Sequence, residues 1–146
     1  MKITVAVPTL NRPGDMAEFM PTLAAQTVQP DEFIVVDAGE PSDLEDQMQK
    51  MLGHTDIKLV YKRSEKGLCI QRNVSLDCFS GDIIFFFDDD VELEPDYIEL
   101  RKKYLHPWMQ DDVWDVKGAT MCSALREHAA RFSSTKKKPC ENASGN

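Results

Sequence analysis

Long apolar runs are missing from this 146-residue chain: the longest, residues 83–87, is far short of the ~20 residues that a membrane-crossing helix needs. The N-terminal Met-Lys-Ile-Thr-Val turns polar too early for a signal peptide, so the expectation is a cytoplasmic protein. Basic residues are in short supply, 17 Lys and Arg against 25 Asp and Glu, for a net charge of −8. That balance argues against a nucleic-acid partner, because phosphate backbones are bound by clustered Lys and Arg. The four cysteines form no Cys-x-x-Cys pair, and His54, His106 and His128 are scattered. Zinc-site spacing is therefore absent, and the cysteines read as reduced thiols. Asn142-Ala-Ser is a formal glycosylation sequon, but without a secretory signal it carries little weight.

What is present is an alternation of short β-rich runs and helical periodicities, the pattern of an α/β fold with a mostly parallel sheet flanked by helices. Strands are expected at residues 3–7 (stopped by Pro8), 33–36, 57–61 and 83–87, and a fifth at 113–121. Helices are expected at 15–26, where Met16, Met20, Leu23 and Ala24 share a face, and at 42–52. Ser42 and Glu45 have capping-box spacing at the start of the second of these. A third helix after Gly67 carries Ile70, Val74 and Cys78 on one stripe, and a fourth follows Pro95 over 96–105. Residues 1–132 read as one domain, and 133–146 as a disordered tail without periodicity.

In open parallel sheets, ligands sit beyond the carboxyl ends of the strands. Polar residues collect at those ends here: Pro8-Thr9-Leu10-Asn11-Arg12, Asp37-Ala38-Gly39-Glu40, and Asp88-Asp89-Asp90. Three adjacent carboxylates after a buried strand repel one another unless a cation offsets them. Mg²⁺ or Mn²⁺ suits the site, since it takes one or two carboxylates and fills its remaining positions with water and phosphate oxygens. The competing reading is a solvated acidic turn. Asp37 could accept from a nucleobase N–H or a ribose hydroxyl, or simply form an Asx turn with Gly39. Arg72 could reach phosphates or pair with one of the aspartates. Arg12 and Lys66 are looser phosphate candidates.

Four segments in this order, Val5-Ala-Val-Pro-Thr-Leu-Asn-Arg-Pro, Phe33-Ile-Val-Val-Asp-Ala-Gly, Gly67-Leu-Cys-Ile-Gln-Arg-Asn and Gly81-Asp-Ile-Ile-Phe-Phe-Phe-Asp-Asp-Asp, resemble glycosyltransferase family 2. The resemblance covers residues 1 to about 120. It implies the GT-A fold, a Rossmann-like sheet that binds a nucleotide-diphosphate sugar, with UDP- or dTDP-sugars favoured. Pro8 and Thr9 would line the nucleotide pocket and Asp37 would contact the base. Asp88 and Asp90 would be the acids of the Asp-x-Asp motif, with Asp90 closest to the metal and Asp89 near the ribose or sugar. Arg72 falls on the Arg-Asn pair common in the family, and Ala38 stands where a second acid often follows. Transfer would be inverting, to an unidentified acceptor. The family's catalytic base and acceptor-binding helix lie well beyond the Asp-x-Asp motif. No residue here matches that base by position, and Asp111, Asp112, Asp115 and Glu127 are undistinguished carboxylates. The acceptor region is therefore expected to be incomplete, as in a truncated chain.

Two other readings compete. One is a truncated module that binds nucleotide and metal without transferring anything. The other rests on Phe86-Phe87-Asp88-Asp89-Asp90-Val91, which also resembles the nucleophile loop of haloacid-dehalogenase-type phosphatases, with Asp88 as the phosphorylated residue. That loop normally follows the first strand of its fold, whereas here it follows the fourth expected strand.

Overall fold

The computed structural model describes residues 1–105 and, beyond them, the backbone of two short strands at 115–116 and 119–122. The expected tail, the sequon, His106, His128, Cys140 and the base candidates Asp111, Asp112 and Glu127 lie outside the described residues, as do the side chains of Asp115 and Cys122.

In chain order the elements are β1 (Ile3–Thr9), α1 (Pro13–Ala24), β2 (Glu32–Asp37), α2 (Leu44–Leu52), β3 (Lys58–Arg63), α3 (Leu68–Cys78), β4 (Ile83–Phe86), α4 (Tyr97–Leu105), β5 (Asp115–Val116) and β6 (Ala119–Cys122). The sheet order is β3-β2-β1-β4-β6-β5. The first four strands run parallel, and β6 pairs antiparallel with β4 and β5. Among the described residues no helix is long and apolar enough to cross a membrane.

Both faces of β1, β2 and β4 are covered, so their residues are mostly apolar without alternation, whereas β3 at the edge is half-exposed. Val5, Val7, Phe33, Val35, Phe85 and Phe87 join Met16, Phe19, Met20 and Leu23 of α1 and Leu44, Met48 and Leu52 of α2 in the larger core. Alternate residues Ala6, Ile34, Val36, Ile84 and Phe86 face the other way, against Val74, Leu76 and Cys78 of α3. Burying a Phe or Leu side chain contributes roughly 1.5–3 kcal/mol, so α1, with four buried apolar side chains, is firmly docked despite Pro21 in its interior. Pro13 at its first turn has no N–H to leave unsatisfied.

The structure corrects four expectations. Pro8 does not stop β1: it pairs with Val36, and the strand runs on to Thr9. The Ala38 N–H donates to the Thr9 carbonyl on the β2 side, and the Phe87 N–H donates to the Ala6 carbonyl on the β4 side. Backbone groups alternate sides along a strand, so Pro8 turns its missing N–H toward β4. Pairing ends on that side only, and the two strands part there. The expected fifth strand is two strands, β5 and β6, paired with each other. Ser42 accepts from the Leu44 N–H at 3.3 Å rather than forming a capping box, and Glu45 accepts from the Gln49 amide one turn on. Finally, the most buried face of α3 carries Gln71 and Ser75, with the Ile70–Val74–Cys78 stripe only half-buried.

Candidate functional site

The chain order of the strands reverses direction at β1. From β1 it steps outward to β2 and β3, then returns to place β4 on the other flank. A crevice opens at such a point, beyond the carboxyl ends of β1 and β4. Thr9 ends β1, and Asp88-Asp89-Asp90 follow β4. Across the crevice the Thr9 hydroxyl donates to Asp89 Oδ2 at 2.9 Å, and both side chains are buried. Arg12 Nη1 donates to Asp89 Oδ1 at 3.3 Å and stands 3.9 Å from Asp15 and 4.0 Å from Asp90. Burial pushes the Asp89 carboxyl above the ordinary range, and the nearby charges of Asp15 and Asp90 add to this. The Thr9 hydroxyl and the Arg12 guanidinium work in the opposite direction.

Locking the middle aspartate inward turns its neighbours outward. Asp88 and Asp90 are each 60% exposed. Among the described residues no three His, Cys, Asp or Glu side chains stand together as a ready-made metal cage. Two exposed carboxylates at one turn are nevertheless the donor set that Mg²⁺ or Mn²⁺ uses when phosphate and water complete its shell. Arg72 Nη2 lies 3.9 Å from Asp88 Oδ1, a long ion pair, and its guanidinium sits 5.8 Å over the Phe86 ring. The Arg72 Nε is buried without a hydrogen-bond partner. Lys66 is exposed on the β3–α3 loop, and Pro8 is buried within β1.

Asp37 ends β2, buried, and both oxygens of its carboxylate accept hydrogen bonds. Oδ1 accepts from the Gly39 N–H at 2.7 Å, the Asx-turn contact. Oδ2 accepts from the Tyr61 hydroxyl and from Arg63 Nη1 at 3.0 Å. Arg63 Nη2 donates onward to the Gly39 carbonyl. Burial and the bond to Asp37 push the Tyr61 phenol up to about 12. A cleft of about 170 Å³ lies between the β1–α1 and β2–α2 loops, lined by Thr9, Asn11, Arg12, Asp37 and Glu40 among others.

Sequence reasoning missed four residues here. Asn11 adopts a left-handed backbone (φ 53°), and its Oδ1 accepts from the Glu40 N–H at 2.7 Å, joining the two loops. Asn is one of the few non-glycine residues that enter this region readily, which was a usable signal. The Gln71 amide donates to the Thr9 carbonyl at 2.9 Å and the Val36 carbonyl at 2.8 Å, satisfying both strand ends at once. Nothing in its spacing announced that role. Tyr61 and Arg63 share the sheet face of Asp37 through the β2–β3 register, which places Arg63 beside Asp37. The two-residue period was visible, but the register that gives it meaning was not.

The profile of Glycosyl transferase family 2 matches residues 4–119. The chain is 31% identical over 111 residues to the glycosyltransferase GlyA of Streptococcus pneumoniae, covering 75% of this chain and 16% of that protein. It is 30% identical over 102 residues to a glucosyl-dolichyl phosphate glucuronosyltransferase of Haloferax volcanii, covering 68% and 32%. This chain thus spans a minor part of the curated relatives it matches. Among solved structures, S. aureus TarS superposes with a TM-score of 0.62 at 25% identity, over 77% of this chain and 21% of that one. The mannosyltransferase PcManGT of Pyrobaculum calidifontis, solved with GDP-Man and Mn²⁺, gives 0.61 at 24% identity over 72% and 32%, a likeness of fold.

Proposed function

This chain belongs to glycosyl transferase family 2, and from that premise we propose that it is the donor-binding part of a metal-dependent sugar transferase. Its four-strand parallel sheet flanked by helices matches the GT-A glycosyltransferase structures. Family membership also replaces the phosphatase likeness of the aspartate run. The donor we propose is a nucleotide-diphosphate sugar, and the transfer is to an acceptor hydroxyl with inversion.

The observation that carries this reading is the Thr9–Asp89 hydrogen bond at 2.9 Å, which closes the crevice floor and leaves Asp88 and Asp90 exposed beside it. Asp88 and Asp90 would hold Mg²⁺ or Mn²⁺, which when bound offsets diphosphate charge and stabilises the departing nucleotide diphosphate. Arg12 and Arg72 flank that turn and are our candidates for phosphate oxygens, each already drawn toward an aspartate that a cation would otherwise satisfy. Asp89, held inward, sets the turn and approaches the ribose or sugar. The cleft between the β1–α1 and β2–α2 loops is our candidate seat for the base and ribose, with Thr9 and Asp37 in its lining.

Calorimetric titration of UDP, dTDP and their sugars, with and without Mn²⁺, tests the reading when run beside an assay of donor turnover. Metal-dependent nucleotide binding is the expected result. Binding without transfer or donor hydrolysis would make the chain a binding module, and no nucleotide binding at all would overturn the proposal.

A further inference from the structure

We infer that Tyr61 and Arg63, on the outermost parallel strand, are positioning residues for nucleotide recognition, assigning one oxygen of Asp37 to the protein and the other to the ligand. The inference rests on the donor-site reading above. A carboxylate oxygen offers two lone-pair directions. Oδ2 of Asp37 receives two protein donors, the Tyr61 hydroxyl and Arg63 Nη1, and has no direction left. Oδ1 receives one, the Gly39 N–H, and keeps one. Of the two oxygens, then, only Oδ1 can accept from a ligand N–H or hydroxyl entering the cleft that Asp37 lines.

The arrangement also solves a problem of charge. Asp37 is buried, and an ionised carboxylate is retained there only with a counter-charge and donors. Arg63 provides the charge, and its second nitrogen holds the Gly39 carbonyl, so the same guanidinium fixes the peptide that donates to Oδ1. Tyr61 and Arg63 are two residues apart on β3, and the register sets them opposite Val35 and Asp37. Both side chains therefore reach the sheet face that Asp37 uses. A rigid, singly open acceptor discriminates between ligands with and without a donor at that point, which is a recognition function beyond fold maintenance.

The test compares UDP with inorganic pyrophosphate, both in Mn²⁺, by calorimetry on the wild-type chain and on Tyr61→Phe, Arg63→Gln and Arg63→Lys, with thermal unfolding alongside. Tyr61→Phe keeps the ring and removes one of the two donors holding Oδ2, so the carboxylate is free to turn Oδ1 away from the ligand. UDP affinity should fall by about tenfold in Tyr61→Phe and further in Arg63→Gln, the worth of a charge-assisted hydrogen bond. Pyrophosphate affinity should stay unchanged, and Arg63→Lys should recover part of the loss by restoring the charge without the fork. Wild-type UDP affinity in Tyr61→Phe and Arg63→Lys, or equal losses for UDP and pyrophosphate, would overturn the inference while leaving the donor site standing. A wild-type chain that binds neither ligand would overturn the donor-site reading, and this inference with it.

Discussion

The Thr9 hydroxyl and the Asp89 carboxylate meet at 2.9 Å across the point where the sheet changes direction, joining residues 80 positions apart in the chain. Thr9→Val keeps the shape of the side chain but strips Asp89 Oδ2 of its buried donor. The loss should cost about 1–3 kcal/mol of stability, read as a lower urea midpoint with an unchanged slope. Metal-dependent nucleotide binding should weaken with it, because Asp88 and Asp90 are carried on the turn that Asp89 anchors.

Asp90→Ala removes an exposed carboxylate and no core volume. Thermal stability should stay within about 0.5 kcal/mol of wild type, while the Mn²⁺ dependence of nucleotide binding disappears. Mn²⁺-dependent affinity equal to wild type would mean that the cation sits elsewhere.

Gln71→Leu preserves volume but removes the amide that donates to the Thr9 and Val36 carbonyls, while the Thr9 carbonyl keeps the Ala38 N–H. Losing two buried hydrogen bonds from carbonyls that stay within the strand ladder should cost about 1–3 kcal/mol. Chemical denaturation measures it. A loss no larger than that of an ordinary surface substitution would show that the Gln71 amide adds nothing to what the strand ladder already provides.

Glu32 lies at the opposite end of β2 from Asp37 and predicts a pH effect separable from the site. Burial works to raise its carboxyl, but the Ser80 N–H and hydroxyl, the Thr4 hydroxyl and Lys58 overcome this and hold it below the ordinary 4.5. A depressed carboxyl binds its proton less readily folded than unfolded. Its stabilisation is therefore full above the unfolded value and lost as pH falls through the folded one. Glu32→Gln should unfold at a lower temperature than wild type near neutral pH, with the gap closing on acidification below the ordinary Glu range. A gap that stays constant on acidification would show that the charge of Glu32 plays no part.

Much of the fold was legible because its signals are local. Residues 33–36 and 83–86 are continuous apolar runs, and Met16, Met20 and Leu23 repeat at helical spacing. Burial of both sheet faces and docking of α1 follow from such patterns almost directly. The aspartate run stood out in the sequence, but its division of labour did not: Asp89 turns inward onto Thr9 and Arg12 while Asp88 and Asp90 face solvent. What escaped were relationships between distant segments. Pro8 reads locally as a strand stop, yet its missing N–H falls on the flank where β4 has already ended. Gln71 reads as a surface residue of an amphipathic helix until α3 is laid over the ends of β1 and β2. Asp37 reads as a ligand contact or an Asx-turn residue; the structure shows the turn contact to Gly39, together with two donors from β3 that no spacing could reveal.

The close approach of Asn11 and Gly39 bears on how this chain could be re-engineered. A β-carbon at position 39 would come within 2.4 Å of Asn11 Oδ1 and 2.7 Å of the Asn11 backbone nitrogen. The backbone atom cannot swing aside, so no choice of side chain at position 11 makes room for one at position 39. Gly39 has to be kept, or replaced together with a change in the backbone of the β1–α1 loop, before the neighbouring cleft can be reshaped for a different nucleotide.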